Sequence, residues 1–288
     1  MPLVSPFHEA VPRGTAATMT DPTVTEVVET YLATMDAKRP GLVQGYHLVG
    51  SAALDDFAPG VSDINFVAVT ASPLRAEDLV AVAEVHRDFA SKYTNVPLDG
   101  PYLSRTEIEE KWSAMADGPH VRRGVFFETG SHGRGYLDRH AWSNSAETLL
   151  GLPIGTDLSI QTQTVDEAAI RLAERTISEL LANERDDASH SVTDETLVSQ
   201  TVLTLARLHY TLTTGRLTSK TKAGLYGLVT FSSHWSPLLE AALLLRRAPN
   251  STLPGSPPAT VVAYARMVAS DMRELAPICS SEEPMGAG

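Results

Sequence analysis

The stretch VGSAALDDFAPGVSDINFVAV, residues 49–69, holds the residues whose types and spacing can do chemistry. Gly50-Ser51 follows an apolar run and precedes Ala52-Ala53, so a strand delivers the pair to the start of a helical turn. The free backbone N–H groups of such a turn, together with the Ser51 hydroxyl, can hold a phosphate. Twelve residues after Ser51 stands Asp63, followed by Ile64 and Asn65. Alternate residues of a strand point to one face, so Asp63 and Asn65 project together while Ile64 turns to the core. Paired oxygen donors beside a phosphate-holding turn are a means of holding Mg²⁺ on a nucleoside triphosphate.

The elements that position this group can be read from the pattern around it. Asp21-Pro22 is an N-cap followed by proline at the first helical position, and Val24, Val27, Val28, Tyr31 and Met35 share one face of the helix it opens. That helix ends before Pro40-Gly41, and a short strand follows at Tyr46–Val49. Phe57–Asp63 is a loop and Ile64–Val69 a second strand; Leu79, Val82, His86 and Phe89 mark a helix, and Leu98–Leu103 a third strand. This order implies a small mixed sheet with helices packed against it. Residues 117–160 show no sustained period, although they contain Gly-rich GSHGRG at 130–135. From about residue 165 every periodic segment is helical: Ile170, Ile177 and Leu181; Val198, Val202, Leu205 and Leu212; Trp235, Leu238, Leu239 and Ala242; Val261, Tyr264, Val268 and Met272. The expected fold class is therefore α+β, with a sheet domain over 21–160 and an all-α bundle over 161–275. Residues 1–20 read as a flexible leader, residues 276–288 as a tail, and there is no internal repeat.

Composition narrows the functions open to such a chain. Its 288 residues are 43% apolar and 20% charged, which suits a folded protein with a sizeable core. Lys and Arg number 23 against 35 Asp and Glu, a net charge of −12. So acidic a surface argues against sequence-independent nucleic-acid binding, which depends on neutralising phosphates, and suits a cationic small molecule. Cys279 is the only cysteine, which excludes a disulfide within one chain and a Cys-rich zinc site. The N-terminus lacks a basic start followed by an apolar stretch, and the strongly apolar run around LLEAALLL is too short to cross a bilayer. The expectation is a cytoplasmic protein, monomeric or a small homo-oligomer, with neither a membrane nor a nucleic acid as partner.

Gly-Ser, a spacer of about ten residues and an Asp-x-Asp or Asp-x-Glu pair are the signature of the nucleotidyltransferase superfamily, which residues 49–69 resemble. A second match lies in the other half. Val202-Leu203-Thr204-Leu205-Ala206-Arg207, then Tyr210, Thr214-Gly215 and Ser219-Lys220, is similar to the C-terminal helical domain of aminoglycoside adenylyltransferases, the streptomycin and spectinomycin resistance enzymes. The resemblance spans roughly residues 25–250. It implies a nucleotidyltransferase-fold domain followed by a helical domain that closes over nucleotide and drug, with ATP as co-substrate and Mg²⁺ as cofactor. It also implies that Gly50 and Ser51 hold phosphates, that Asp63 and Asn65 hold the metal, and that Arg207 and Lys220 reach the triphosphate. Asp99, in VPLDGPYL, matches the family's third carboxylate, a Glu there, which takes the proton from the acceptor hydroxyl. Asn65 stands where the family has a second metal carboxylate, a neutral oxygen in place of a charge. Leu197 and Val198 occupy the positions at which the family's acidic residues meet the cationic drug; Asp194 and Glu195, about a turn earlier, are the candidates to replace them. Arg246 stands where the family often has an aromatic residue near the nucleotide.

Two functions follow from these matches and departures. One is Mg²⁺-dependent transfer of AMP from ATP to a hydroxyl of an aminoglycoside, an aminocyclitol or a related natural product. The other is a catalytically inactive or repurposed relative that binds a small molecule in antibiotic biosynthesis or sensing. Several residues have simpler readings: Asp99 as a turn former in Asp-Gly-Pro, Arg207 as a core-edge residue paired with a carboxylate, and Lys220 as a solvated lysine. His47 is expected to be a satisfied buried histidine; His132, in GSHGRG, offers a phosphate or acid–base loop, with a surface loop as the expected reading. Asp55-Asp56 and Asp186-Asp187 are expected to be solvated, and Trp112, Trp142 and Trp235 to be core anchors.

Overall fold

The computed structural model describes residues 21–109, 117–154, 162–185, 195–248, 251 and 258–276. The expected leader, the tail beyond residue 276, Trp112, Asp186-Asp187, Asp194 and Cys279 lie outside them, as does the side chain of Glu195.

Helix α1 (Pro22–Lys38) begins at the expected cap, with the Asp21 carboxylate accepting the Thr23 N–H at 2.8 Å and the five apolar residues of the predicted face buried. Strand β1 (Val43–Leu48) begins at Val43 rather than Tyr46, because it pairs antiparallel with β2 (Ile64–Thr70) as far as Val43↔Thr70 across an irregularity at Gly45. Between them lies a single helical turn, α2 (Gly50–Ala53). Helix α3 (Ala76–Lys92) then makes the crossover that a parallel pairing needs, returning the chain to β3 (Leu98–Ser104) beside β2. Asp99 and the glycine after it therefore belong to a strand, and the turn expected at Asp-Gly-Pro does not form.

After α4 (Arg105–Glu109), the stretch without a sequence period contains strands β4 (His120–Arg122) and β5 (Val125–Phe127), helix α5 (Tyr136–Ser145) and strand β6 (Glu147–Leu150). The six strands form one mixed sheet in the order β5-β4-β3-β2-β1-β6. One face is covered by α1 and α3 around a tight aromatic group, Tyr31, Tyr46, Phe66, His86, Phe89 and Tyr102. The Tyr102 hydroxyl meets both the Tyr31 hydroxyl and, at 2.6 Å, His86 Nε2, and burial pushes His86 down to about 3, so it packs as a neutral ring. A smaller cluster on the other face joins Val49, Val67, Val69, Leu103 and Ile154 to Trp142. His47 is fully buried with Nδ1 against Thr148 Oγ1 at 3.0 Å; its Nε2 lacks a partner among the described residues, and burial pushes the ring down to about 4.

The rest is helical, as expected: α6 (Thr162–Arg185), α7 (Glu195–Thr214), α8 (Lys220–Thr230), α9 (Ser236–Arg247) and α10 (Pro258–Leu275). Val202, Leu205 and Ala206 of α7 pack among Leu239, Val261, Tyr264 and Val268, with Trp235 against them. Gly224 lets α8 sit close: a Cβ there would lie 2.7 Å from side-chain carbons of both Leu203 and Leu243. Among the described residues no helix is long and apolar enough to cross a membrane.

Candidate functional site

The α2 turn requires glycine at position 50 twice over. Its φ is +65°, in the left-handed region, and a Cβ would lie 2.6 Å from Asn65 Oδ1. The Asn65 carboxamide thus rests on the Gly50-Ser51 turn from β2. Val49 N–H donates to the Asn65 carbonyl at 3.0 Å and Asp56 N–H to the Ser51 carbonyl at 2.9 Å, fixing the turn at both ends. Asp63 and Asn65 are half-buried on either side of the fully buried Ile64, which is the alternation their spacing predicts.

Asp99 is the register neighbour of Asn65 on the parallel strand β3. Burial, with Asp99 beside it, raises Asp63 above the usual carboxylate range, against the pull of Arg123, Lys220 and His132. The Asp63 carboxylate has no hydrogen-bond or ion-pair partner among the described residues. Asp99, by contrast, is fully engaged. One oxygen accepts the Arg123 backbone N–H at 3.0 Å and the other lies 2.6 Å from His132 Nε2. His132 lies in a partly exposed loop, as expected, but that loop packs on the sheet through Gly133 and carries its histidine to Asp99. The imidazole is raised from its ordinary value, chiefly by that bond.

The helical half brings three cations to the same region. Ser219 caps α8 by accepting the Lys222 N–H at 3.3 Å, and Lys220 is the first residue of that helix. Burial pushes Lys220 down to about 7, helped by Arg207 and Arg246 and opposed by Asp63 and Asp56. Burial and Arg246 lower Arg207 as well, while Asp138 and Asp56 oppose them. Neither Arg207 nor Lys220 forms a hydrogen bond or ion pair among the described residues, so the paired and solvated alternatives both fall away.

The third cation is spoken for. Arg246, 5% exposed at its side chain, donates to Asp56 Oδ2 at 2.8 Å, to the Asp56 carbonyl at 2.6 Å and to Thr221 Oγ1 at 3.2 Å. Asp56 also accepts the Thr221 N–H at 3.2 Å. Asp55 is exposed as expected, but Asp56 is an anchor between the two halves rather than a solvated residue.

The donor set fits a magnesium ion that arrives on a triphosphate. Mg²⁺ takes one or two protein oxygens and keeps water and phosphate oxygens for the rest, and the unpartnered Asp63 carboxylate with the Asn65 carboxamide supplies such a pair. A site built by protein alone is not available: among the described residues no three His, Cys, Asp or Glu side chains are grouped to hold a metal. The structure thus brings Gly50, Ser51, Asp63, Asn65, Asp99, Arg207 and Lys220 to the junction of the two halves. His132 and the Asp56–Arg246 pair belong there too; the GSHGRG loop and Arg246 stand out in the sequence, but the contacts that bring them here do not. The candidate drug contacts Asp194 and Glu195 cannot be placed by their side chains.

Comparison with known proteins agrees with this architecture. Residues 165–271 match the family model of the aminoglycoside adenylyltransferase C-terminal domain. The solved structure of spectinomycin adenyltransferase AAD(9) from Enterococcus faecialis, with ATP and spectinomycin, superposes with a TM-score of 0.63 over 86% of this chain and 99% of that one, at 15% sequence identity. No curated protein sequence matches. The helical half is thus similar to the C-terminal domain of aminoglycoside adenylyltransferases, and the whole chain shares the fold of that solved structure, a mixed sheet followed by helices, which is the α+β arrangement the sequence implied.

Proposed function

We propose that the chain is an O-adenylyltransferase that moves AMP from ATP to a hydroxyl of an amino-bearing small molecule, an aminoglycoside, an aminocyclitol or a related natural product. One observation carries this reading. Half-buried Lys220 lies within electrostatic reach of both the half-buried carboxylate of Asp63 and the half-buried Arg207, and none of the three has a hydrogen-bond or ion-pair partner among the described residues. Unpaired buried charges are costly, and a magnesium triphosphate is the ligand that satisfies all three at once. The acidic chain, −12 overall, suits a cationic acceptor, and AAD(9) itself was crystallised with ATP and spectinomycin.

In the reaction the acceptor oxygen forms a bond to the α-phosphorus, the bond from that phosphorus to the bridging oxygen breaks, and pyrophosphate leaves. Gly50 and Ser51 cradle phosphate oxygens, Arg207 and Lys220 neutralise the departing pyrophosphate, and the hydroxyl proton leaves toward the Asp99–His132 pair. A magnesium ion held by Asp63 and Asn65 supplies charge neutralisation across the phosphates.

A second reading, a junction that binds nucleotide without transferring it, rests on Asn65 in place of a carboxylate. Mg²⁺-dependent pyrophosphate release from ATP, measured against a panel of aminoglycosides and aminocyclitols, separates the two. Transfer predicts release with a panel member and a loss of roughly 10²–10³-fold in Asp63→Ala, as for other removals of transition-state charge stabilisation. Release by Asn65→Asp alone supports the binding-only reading, and near-normal turnover in Asp63→Ala overturns the assignment of the site.

A further inference from the structure

We infer that His132 is the group that takes the proton from the acceptor hydroxyl, with Asp99 holding and polarising its ring. The inference rests on the transfer reading and adds to it a catalytic residue that neither the resemblance nor the family model assigns. Asp99 is poorly placed to accept a proton itself. Its side chain is 10% exposed, and its two oxygens are taken by the Arg123 N–H and by His132. An aspartate is also one methylene shorter than the glutamate expected there. The imidazole makes up the reach, since it starts from a different loop and is 34% exposed.

The hydrogen bond fixes the tautomer. A carboxylate only accepts, so Nε2 of a neutral His132 carries the hydrogen and Nδ1 keeps its lone pair. Among the described residues Nδ1 has no hydrogen-bond partner. His120, the neighbouring histidine at 5.6 Å between ring centroids, differs, because its Nδ1 is occupied by the Gly118 carbonyl at 3.1 Å.

The loop that carries His132 is braced in a way a passive surface loop does not need. Gly133, at φ +69°, lies so close to β3 that a Cβ would come 2.7 Å from Pro101 Cδ. The next residue, Arg134, is buried at 1% exposure and donates to Glu107 Oε1 at 2.7 Å and to the Tyr102 carbonyl at 2.5 Å. His132 is thus clamped from its C-terminal side to the strand that holds Asp99. A ring positioned by a carboxylate, with its second nitrogen free, is the arrangement general base catalysis requires.

The proton balance is simple. The hydroxyl proton passes to Nδ1 as the acceptor oxygen bonds to the α-phosphorus, pyrophosphate departs, and the imidazolium formed is stabilised by Asp99. The charged groups acting on the ring are Asp99, Asp138 and Asp63, which favour its protonated form, and Arg122, which opposes it. Their sum raises the ring above 6.5, so kcat is expected to fall on the acid side as pH drops through that raised value.

The test is pyrophosphate release by wild type, His132→Gln, His132→Ala and Asp99→Asn across pH, with the thermal shift induced by MgATP as a check on folding and binding. The expected result is a loss of about 10²–10⁴-fold in kcat for both His132 variants, with little change in KM for ATP, loss of the acid limb, and partial rescue of His132→Ala by added imidazole. A His132→Gln enzyme that keeps its kcat and acid limb while Asp99→Asn is dead overturns the inference and leaves Asp99 as the base. No release by wild type across the panel overturns the transfer reading and this inference with it. On the wild-type protein alone, imidazole ¹⁵N NMR should show the hydrogen on Nε2 of neutral His132; a hydrogen on Nδ1 refutes the inference without recourse to any variant.

Discussion

Lys220 carries an ammonium group that burial and two neighbouring arginines hold at about 7, against 10.5 for a free side chain. Between these two values the unfolded chain binds the extra proton, so the stability of the free protein rises with pH across that window, and below about 7 the whole cost is present. Lys220→Met keeps the length of the side chain and removes the charge. It should therefore raise the Tm of the free protein at pH 7, by roughly 2–4 °C for each kcal/mol relieved. Triphosphate oxygens reverse the situation by drawing the proton back on. MgATP binding at pH 8 should take up to about one proton in wild type and none at this position in Lys220→Met, as read by calorimetry in buffers of different ionisation enthalpy. The variant should also lose most of its nucleotide-induced thermal shift. A lysine that merely decorated the surface would change none of these quantities.

At the scale of elements, the site depends on how closely β2 and β3 lie. Gly100 follows Asp99, and a Cβ on it would come 1.9 Å from the Phe66 carbonyl oxygen, so no side chain fits without parting the strands. Gly100→Ala should destabilise the fold by about 1–3 kcal/mol or more in urea unfolding and lower turnover in whatever protein still folds, because it moves Asp99 off its register with Asn65. The elements around this pair were legible before the structure: α1, α3 and the first three strands follow from capping residues, helical spacing and apolar runs, and the helices after residue 165 from period alone. Strands β4, β5 and β6 were not legible. They have three or four residues each, too few for an alternating pattern to show: β4 buries His120 and Val121 side by side, while in β5 Val125 and Phe127 are 56% and 44% exposed. For the site, Gly50, Ser51, Asp63 and Asn65 could be read because one strand–turn–strand unit carries them. His132 was legible only as a candidate in a Gly-rich loop; its meeting with Asp99, across 33 residues and through packing of Gly133 on Pro101, leaves no local pattern.

For the whole molecule, the two halves are joined by Asp56 and Arg246, 190 residues apart. With side-chain exposures of 13% and 5%, this is a buried pair, and removing one partner strands the other's charge. Asp56→Ala should cost about 3–5 kcal/mol in chemical denaturation, and Asp56→Ala combined with Arg246→Met should recover a large part of it. A double variant as unstable as the single one would show that the contact, not the stranded charge, carries the stability.

The same aspartate gives its backbone N–H to the carbonyl of Ser51. The turn proposed to cradle phosphate and the anchor that holds the helices are thus successive links of one short linkage, with Arg246 as the lever and Asp56 as the pivot. Force applied at α9 is delivered to Ser51 without passing through the sheet. On the proposed function, helical residues remote from the Gly50-Ser51 turn then become settings of its grip on nucleotide, and drift in that half of the chain retunes the turn while every residue in it stays the same.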